Sequence, residues 1–238
     1  RVQFANRLMP KFREGEWDYT MFGRADLTCY VQPIEFISRN SLPAASSVWK
    51  RLNKGQITLE DLGLPADFKP GDKISEPILD YSTKFEPEDR YLAPEQAQRL
   101  MNISDENFAR INETTRRASK IMTEYAVSRG FNREDGKVEY VGLKLGDAVC
   151  TWLEDRLTAQ GIGISKQRIR DKVKKLNPQW YAEIERAKEQ AKLEGRPDFR
   201  ALMDPSIGYI SPAPEFFHAI NTLFRAGTNQ WVNNKVYD

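Results

Sequence analysis

The sequence predicts an α+β fold, because strand-like and helix-like segments alternate along the chain. Three segments carry that reading. Residues 27–38, LTCYVQPIEFIS, alternate and are rich in β-branched and aromatic residues, which suits one interrupted strand or two consecutive ones, with Pro33 marking a bulge or an edge. A helix begins near Ser104, whose hydroxyl can cap it, with Asp105 and Glu106 in the first turn and Phe108, Ile111, Ala118, Met122 and Tyr125 on one face, and Gly130 stops it. Residues 136–152, GKVEYVGLKLGDAVCTW, read as a β-hairpin turning near Gly142 to Gly146.

The remaining segments follow in order. Residues 1–20 form a polar amphipathic stretch without a clear first strand, and residues 1–26 are expected to be a linker or the end of a preceding lobe. Residues 27–238 would then be the main domain. Residues 40–95 are punctuated by Pro43, Pro65, Pro70, Pro77, Pro87 and Pro94, so long regular elements are not expected there. A second helical zone is expected over about 165–194 and a third over about 214–226, the latter carrying Phe216, Phe217, Ile220, Leu223 and Phe224.

Composition narrows the chemistry. Lys and Arg total 36 against 34 acids, so the chain lacks the global positive field of a dedicated nucleic-acid binder, and any anion site must be local. No apolar run approaches the roughly 20 residues needed to span a bilayer. Cys29 and Cys150 are too few for a disulfide framework, which suits reduced thiols and the cytoplasm. With His218 the only histidine, carboxylates, Lys, Arg and hydroxyls must carry any chemistry.

Four constellations of such residues stand out, and each has a plainer reading beside it. Arg39 and Asn40, followed by Ser46-Ser47 and Lys50-Arg51, follow a strand directly and could cradle a phosphate, or form a solvated basic turn. Period-2 spacing puts Asp135, Lys137 and Glu139 on one strand face, with Asp147 within reach across the hairpin. Carboxylates beside a lysine could hold Mg²⁺ and nucleotide phosphates, or could be a solvent-facing charge row. Ser82-Thr83-Lys84 running to Asp89 and Arg90 says little alone. The basic run Lys166, Arg168, Arg170, Lys172, Lys174 and Lys175 is either an anion site or the solvated side of a helix.

Taken in order, these segments resemble the phosphoribosylaminoimidazole-succinocarboxamide (SAICAR) synthetase family. The resemblance lies in IEFISRN, SSVWKR, SEPILDYSTK and EPEDR, in Asp135-Gly136-Lys137-Val138-Glu139, in Gly146-Asp147-Ala148, and in Arg156 and Ser165-Lys166 to Arg170. It covers residues from about 27 to 175 and only loosely the tail. It implies an antiparallel sheet packed with helices in a two-lobed, ATP-binding architecture. The implied activity is an ATP- and Mg²⁺-dependent ligase of purine biosynthesis that joins L-aspartate to carboxyaminoimidazole ribonucleotide.

Carried over by residue, Glu139 and Asp147 would hold Mg²⁺ and nucleotide, with Lys137 near the transferred phosphoryl group. Arg39, Ser46 or Ser47, and Arg156 would take the ribonucleotide phosphate. Lys84 and Asp89 would face the nucleotide substrate, and Lys166 and Arg170 would approach from the other side. The chain departs from the family in three places. A later family acid falls on Leu153, beside Glu154 and Asp155; the Ser41 to Ala45 turn is longer than usual; and the family's N-terminal β-lobe has no match in residues 1–26. That lobe is expected to be cut away or supplied by a separate segment. The oligomeric state, a homo-oligomer included, stays open. A non-catalytic purine-nucleotide-binding protein of the same fold is the alternative, although it would have no use for Lys137, Glu139 and Asp147.

Overall fold

The computed structural model describes residues 8–23, 29–146, 149–196 and 198–238. A short hairpin, β1 (Lys11–Arg13) and β2 (Glu16–Asp18), opens the described chain where no clear strand was expected. Three residues a side are too few for periodicity to register. Then follow β3 (Ile34–Ser41), α1 (Ser47–Asn53), β4 (Lys73–Thr83), β5 (Tyr91–Leu92), α2 (Pro94–Met101) and α3 (Asp105–Ser128). The second half holds β6 (Asn132–Val138), β7 (Tyr140–Val141), β8 (Lys144–Leu145), β9 (Asp155–Ala159), β10 (Ile162–Ile164), α4 (Gln167–Leu176), α5 (Pro178–Leu193) and α6 (Pro214–Val232).

Six strands form one antiparallel sheet in the order β10-β9-β6-β3-β4-β5. The expected α+β class with an antiparallel sheet and packed helices is therefore what the chain adopts. β4, eleven residues long, is the longest strand and lies inside the proline-rich stretch where no long element was expected. Pro77 sits within it, at a place where the β3 register shifts between Arg39 and Ser41 and ladder pairing is interrupted. The expected helix over 165–194 is two helices, broken at Asn177-Pro178, because proline has no N–H to continue the ladder but fits a first turn. The third helix runs six residues further than expected, to Val232.

The two faces of the sheet differ. Ile34, Phe36, Tyr81 and Val138 point to the face covered by α2 and α3, where they pack with Met101, Phe108, Ile111 and Tyr140. As the sequence predicted, Ser104 caps α3, accepting from the Asn107 N–H at 3.3 Å. Its buried stripe is mixed, however, with Asn112, Thr115 and Ser119 beside the apolar residues, and Tyr125 is exposed at its edge against Trp231. No described helix is long and apolar enough to cross a membrane.

The polar part of that stripe serves a buried ion pair. Arg133 on β6 meets Asp155 on β9, both sealed from solvent, and the Arg133 guanidinium also donates to Ser119 Oγ at 2.8 Å and to Ser38 Oγ at 3.2 Å. Gly136 makes the room: a Cβ there would stand 2.0 Å from Arg133 Nη2 and 2.6 Å from Asp155 Oδ2. Between Arg133 and Asp135 the β6 register shifts, so two residues that strict alternation would place on one face point to opposite faces.

Removing one member of this pair leaves a buried charge uncompensated. Asp155→Ala is expected to lower stability by about 3–5 kcal/mol, read from urea unfolding. A loss under about 1 kcal/mol would show that Arg133 finds water in the folded protein.

Candidate functional site

The candidate site is built on the other face of the sheet, the one turned away from α2 and α3. Register places Glu35 opposite Ser82, Arg39 opposite Asp135, and Asp135 opposite Arg156, so alternate residues of β3, β4, β6 and β9 bring their polar side chains to one surface. Two clusters result.

The first surrounds Arg39, which is 1% exposed. Its Nε and Nη2 donate to Asp80 Oδ2 at 3.1 and 2.9 Å, and Nη1 donates to Asp135 Oδ2 at 3.2 Å. The remaining donors reach neutral hydroxyls, Nη1 to Ser46 Oγ at 3.4 Å and Nη2 to Ser47 Oγ at 3.3 Å. All five guanidinium donors thus have partners within the chain. Arg51, from α1, grips both oxygens of Asp80 and stacks over Tyr91 with its guanidinium carbon 3.9 Å from the ring centroid. Tyr91 in turn shares a 2.7 Å hydrogen bond with Ser47. On the far side Arg156, partly exposed, pairs with Asp135 at 2.9 Å. Ser46 has a second task as the N-cap of α1. Ser47, Arg51, Asp80, Asp89 and Tyr91 also line a broad cleft of about 1660 Å³.

The second cluster alternates lysines and carboxylates. Lys137 Nζ lies 2.8 Å from Glu35 Oε1, 3.4 Å from Glu154 Oε2 and 3.7 Å from Glu139 Oε1. Lys84 Nζ contacts Glu139 and lies 3.8 Å from Glu35, and Lys166 Nζ lies 3.3 Å from the other Glu154 oxygen. Burial raises the Glu35 carboxyl above its ordinary range, against the opposing pull of Lys137 and Lys84. Burial works against the charged form of Lys137, but Glu35, Glu154 and Glu139 outweigh it, and its pKa lies above the ordinary lysine value. Lys137 is therefore a fixed cation at any physiological pH.

Of the residues singled out in the sequence, the structure brings Lys84, Lys137, Glu139 and Lys166 into the second cluster and Arg39, Ser46, Ser47 and Arg156 into the first. Asp89 is exposed in the loop between β4 and β5, close enough to act electrostatically on Glu35. Arg170 is exposed on α4. Asp147 lies outside the described residues. The turn before it is short, pairing only Tyr140 with Leu145 and Val141 with Lys144, and the Gly146 N–H donates to the Glu139 carbonyl at 2.9 Å.

Two acids of the site, Glu35 and Asp80, escaped the sequence reading, and a third, Glu154, was named there only as a neighbour of Leu153. Each left a trace, since Glu35 and Arg39, Asp80 and Lys84, and Glu154 and Arg156 each keep an even spacing along a strand or its extension. Of the two acids beside Leu153, it is Glu154 that joins the lysine cluster, while Asp155 points to the opposite face and Arg133.

For a divalent cation the donor set is suitable in kind. Glu35 and Glu139 converge on the same two ammonium groups, which marks a point where carboxylate oxygens face a positive charge, and hard oxygen donors suit Mg²⁺. Among the described residues no set of three ligands is already gathered for a metal ion.

Comparison with known proteins points one way. The family model for SAICAR synthetase matches residues 26–187. A protein of Archaeoglobus fulgidus, provisionally named phosphoribosylaminoimidazole-succinocarboxamide synthase, is 32% identical over 215 residues, covering 88% of this chain and 61% of that protein. The enzyme of that name from Thermoplasma acidophilum is 34% identical over 110 residues, covering 46% of this chain and 37% of its own length. The chain thus spans about three fifths of the first relative and less of the second. Among solved structures, Saccharomyces cerevisiae SAICAR synthase complexed with SAICAR superposes with a TM-score of 0.58 at 20% identity, over 87% of this chain and 62% of that one, a likeness of fold.

The lysine-carboxylate cluster makes a direct test possible. A double-mutant cycle of Glu35→Ala and Lys137→Ala is expected to give a coupling energy of about 1–2 kcal/mol in unfolding experiments. Coupling indistinguishable from zero would mean that the two side chains do not meet.

Proposed function

This chain belongs to the SAICAR synthetase family, and we propose that the protein it represents is an ATP-dependent carbon–nitrogen ligase of purine biosynthesis. It joins L-aspartate to carboxyaminoimidazole ribonucleotide, giving SAICAR, ADP and phosphate. The observation that carries the reading is the juxtaposition, on one sheet face, of the Arg39 and lysine-carboxylate clusters in a chain whose residues 26–187 match the family model. Residues 27–238 then form the substrate-binding unit, and a cytoplasmic location accords with the pathway.

A carboxylate is a poor acyl donor, so the reaction needs two displacements. In the first, an oxygen of the ribonucleotide carboxylate attacks the γ-phosphorus of ATP, the bond to the bridging oxygen breaks, and ADP leaves. In the second, the aspartate amine attacks the acyl carbon, phosphate leaves with the C–O bonding pair, and the amine loses its proton. Both steps depend mainly on positioning and charge neutralisation. Lys137 holds a fixed positive charge where the transferred phosphoryl group passes, and Lys84 adds a second. Glu139, with Asp147, would hold Mg²⁺, which when bound neutralises the nucleotide phosphates. Glu35 keeps Lys137 and Lys84 in place.

Arg156 and Arg39 take the ribonucleotide phosphate together with Ser46 and Ser47. Because Arg39 has no free donor, the phosphate must displace the two serine oxygens, the longest and only uncharged acceptors on its guanidinium. The hydroxyls are then free to donate to the phosphate themselves. Asp89 faces the nucleotide substrate, with Lys166 and Arg170 on the opposite side of the site.

The full-length protein supplied with ribonucleotide, L-aspartate and Mg²⁺-ATP is expected to release SAICAR and ADP, and failure to form SAICAR would refute the assignment. Glu139→Gln should lower kcat by about 10²–10³-fold without loss of fold. Arg156→Ala should raise the ribonucleotide KM by at least about tenfold, the cost of one charge-assisted phosphate contact, with a smaller effect on the KM for ATP. Equal changes in both KM values would remove that role from Arg156.

A further inference from the structure

We propose that Asp80 is a positioning residue for the ribonucleotide phosphate, acting through Arg39; this rests on the placement of that phosphate given above. The geometry of the guanidinium carries the inference. A planar guanidinium offers a side edge, made of Nε and one terminal nitrogen, and an end edge made of both terminal nitrogens. In Arg39 the side edge is held by a single carboxylate oxygen, Asp80 Oδ2, at 3.1 and 2.9 Å. The end edge, Nη1 and Nη2, faces Ser46 and Ser47 at 3.4 and 3.3 Å. Carboxylate-held bonds are the stronger set and hydroxyl-held bonds the weaker, so an arriving phosphate exchanges with the serines and leaves the side edge locked.

Asp80 is itself fixed from several directions. It is 5% exposed, and Arg51 Nη1 donates to Oδ1 at 3.2 Å while Arg51 Nη2 closes on Oδ2. The Tyr81 N–H donates to Oδ1 at 3.2 Å. Arg51 is in turn clamped by the Tyr91 ring at 3.9 Å, and Tyr91 reaches Ser47, one of the two hydroxyls that must move. The side edge of Arg39 is thereby tied to β4, α1 and β5 at once, and its end edge is aimed toward the Ser47 wall of the cleft. Asp135 holds only one Nη1 hydrogen and is shared with Arg156, so it cannot set the tilt of the fork alone. Loss of the Asp80 charge would leave Asp135 as the one charged partner of Arg39 and weaken the hold on its side edge, and a bidentate phosphate contact tolerates little rotation.

The test uses steady-state kinetics of the full-length enzyme, wild type and Asp80→Asn, with ribonucleotide and ATP varied separately. The expected result is a ribonucleotide KM raised at least about tenfold while the KM for ATP stays within about twofold, the signature of lost binding at one substrate. Unchanged ribonucleotide KM, or equal rises in both KM values, overturns the proposal, because a merely structural carboxylate would act on both substrates or on neither. Should Asp80→Asn fail to fold, Asp80→Glu keeps the charge and moves it by one methylene. A selective rise in the ribonucleotide KM, smaller than tenfold, supports the proposal, and an unchanged value overturns it. The wild-type arm separates the two levels: no turnover of the ribonucleotide removes the functional reading and this inference with it, whereas normal wild-type turnover with an unaffected variant removes only the role of Asp80.

Discussion

The structure turns on the buried guanidinium of Arg39, held between Asp80 and Asp135. It joins the three central strands β3, β4 and β6 through side chains as well as through their ladders, and Arg51 brings α1 into the same network. Taking so many charges out of water is costly, and opposite charges and hydrogen bonds to the buried donors must offset that cost. Arg39 meets that condition with all five of its donors. Ser46, Ser47 and Tyr91 complete the contacts of Arg39 and its neighbours, whereas the buried Nε of Arg51 has no hydrogen-bond partner.

A second buried arginine, Arg133, shows how the same chemistry serves a different end on the opposite face. Its partner Asp155, with Ser38, Ser119 and Gly136, forms a closed pocket beneath α3. Burial raises the Asp155 carboxyl above its ordinary range while Arg133 pulls the other way. Nearby, burial pushes the Cys150 thiol up to about 12, which keeps it protonated and inert. Both arginines have hydroxyl partners, but one network is enclosed beneath a helix, whereas the other lies against a cleft that Ser47 lines.

The lysine-carboxylate cluster follows a different physical rule. Apart from the buried Glu35 its members are partly exposed, and three acids alternate with three lysines, so no one contact dominates. Such a balanced set can exchange partners, since an incoming anion could replace a carboxylate at a lysine and the carboxylate so released could face a cation. This is the behaviour that the nucleotide site proposed above would need.

Much of the site was legible in the sequence wherever local spacing sufficed. The alternation of Asp135, Lys137 and Glu139, the cap at Ser104 and the turn after Arg39 depend on neighbours within a few residues, and the resemblance to a family suggested the roles proposed for Arg39, Lys84, Lys137, Glu139 and Arg156. The break at Asn177-Pro178 has a sequence cause, a proline inside an otherwise helical run, although the helical zone was read straight across it. What the tertiary structure alone decided was which acid meets which base. Glu35, Asp80 and Glu154 lie far along the chain from Lys137, Arg51 and Lys166 or in separate elements, and only strand order and register bring them together. The separation of Arg133 from Asp135 onto opposite faces came from a shift of register between them. Alternation specifies a face only while the ladder is regular, and a single irregularity, set by packing on both sides of the sheet, reverses every assignment beyond it.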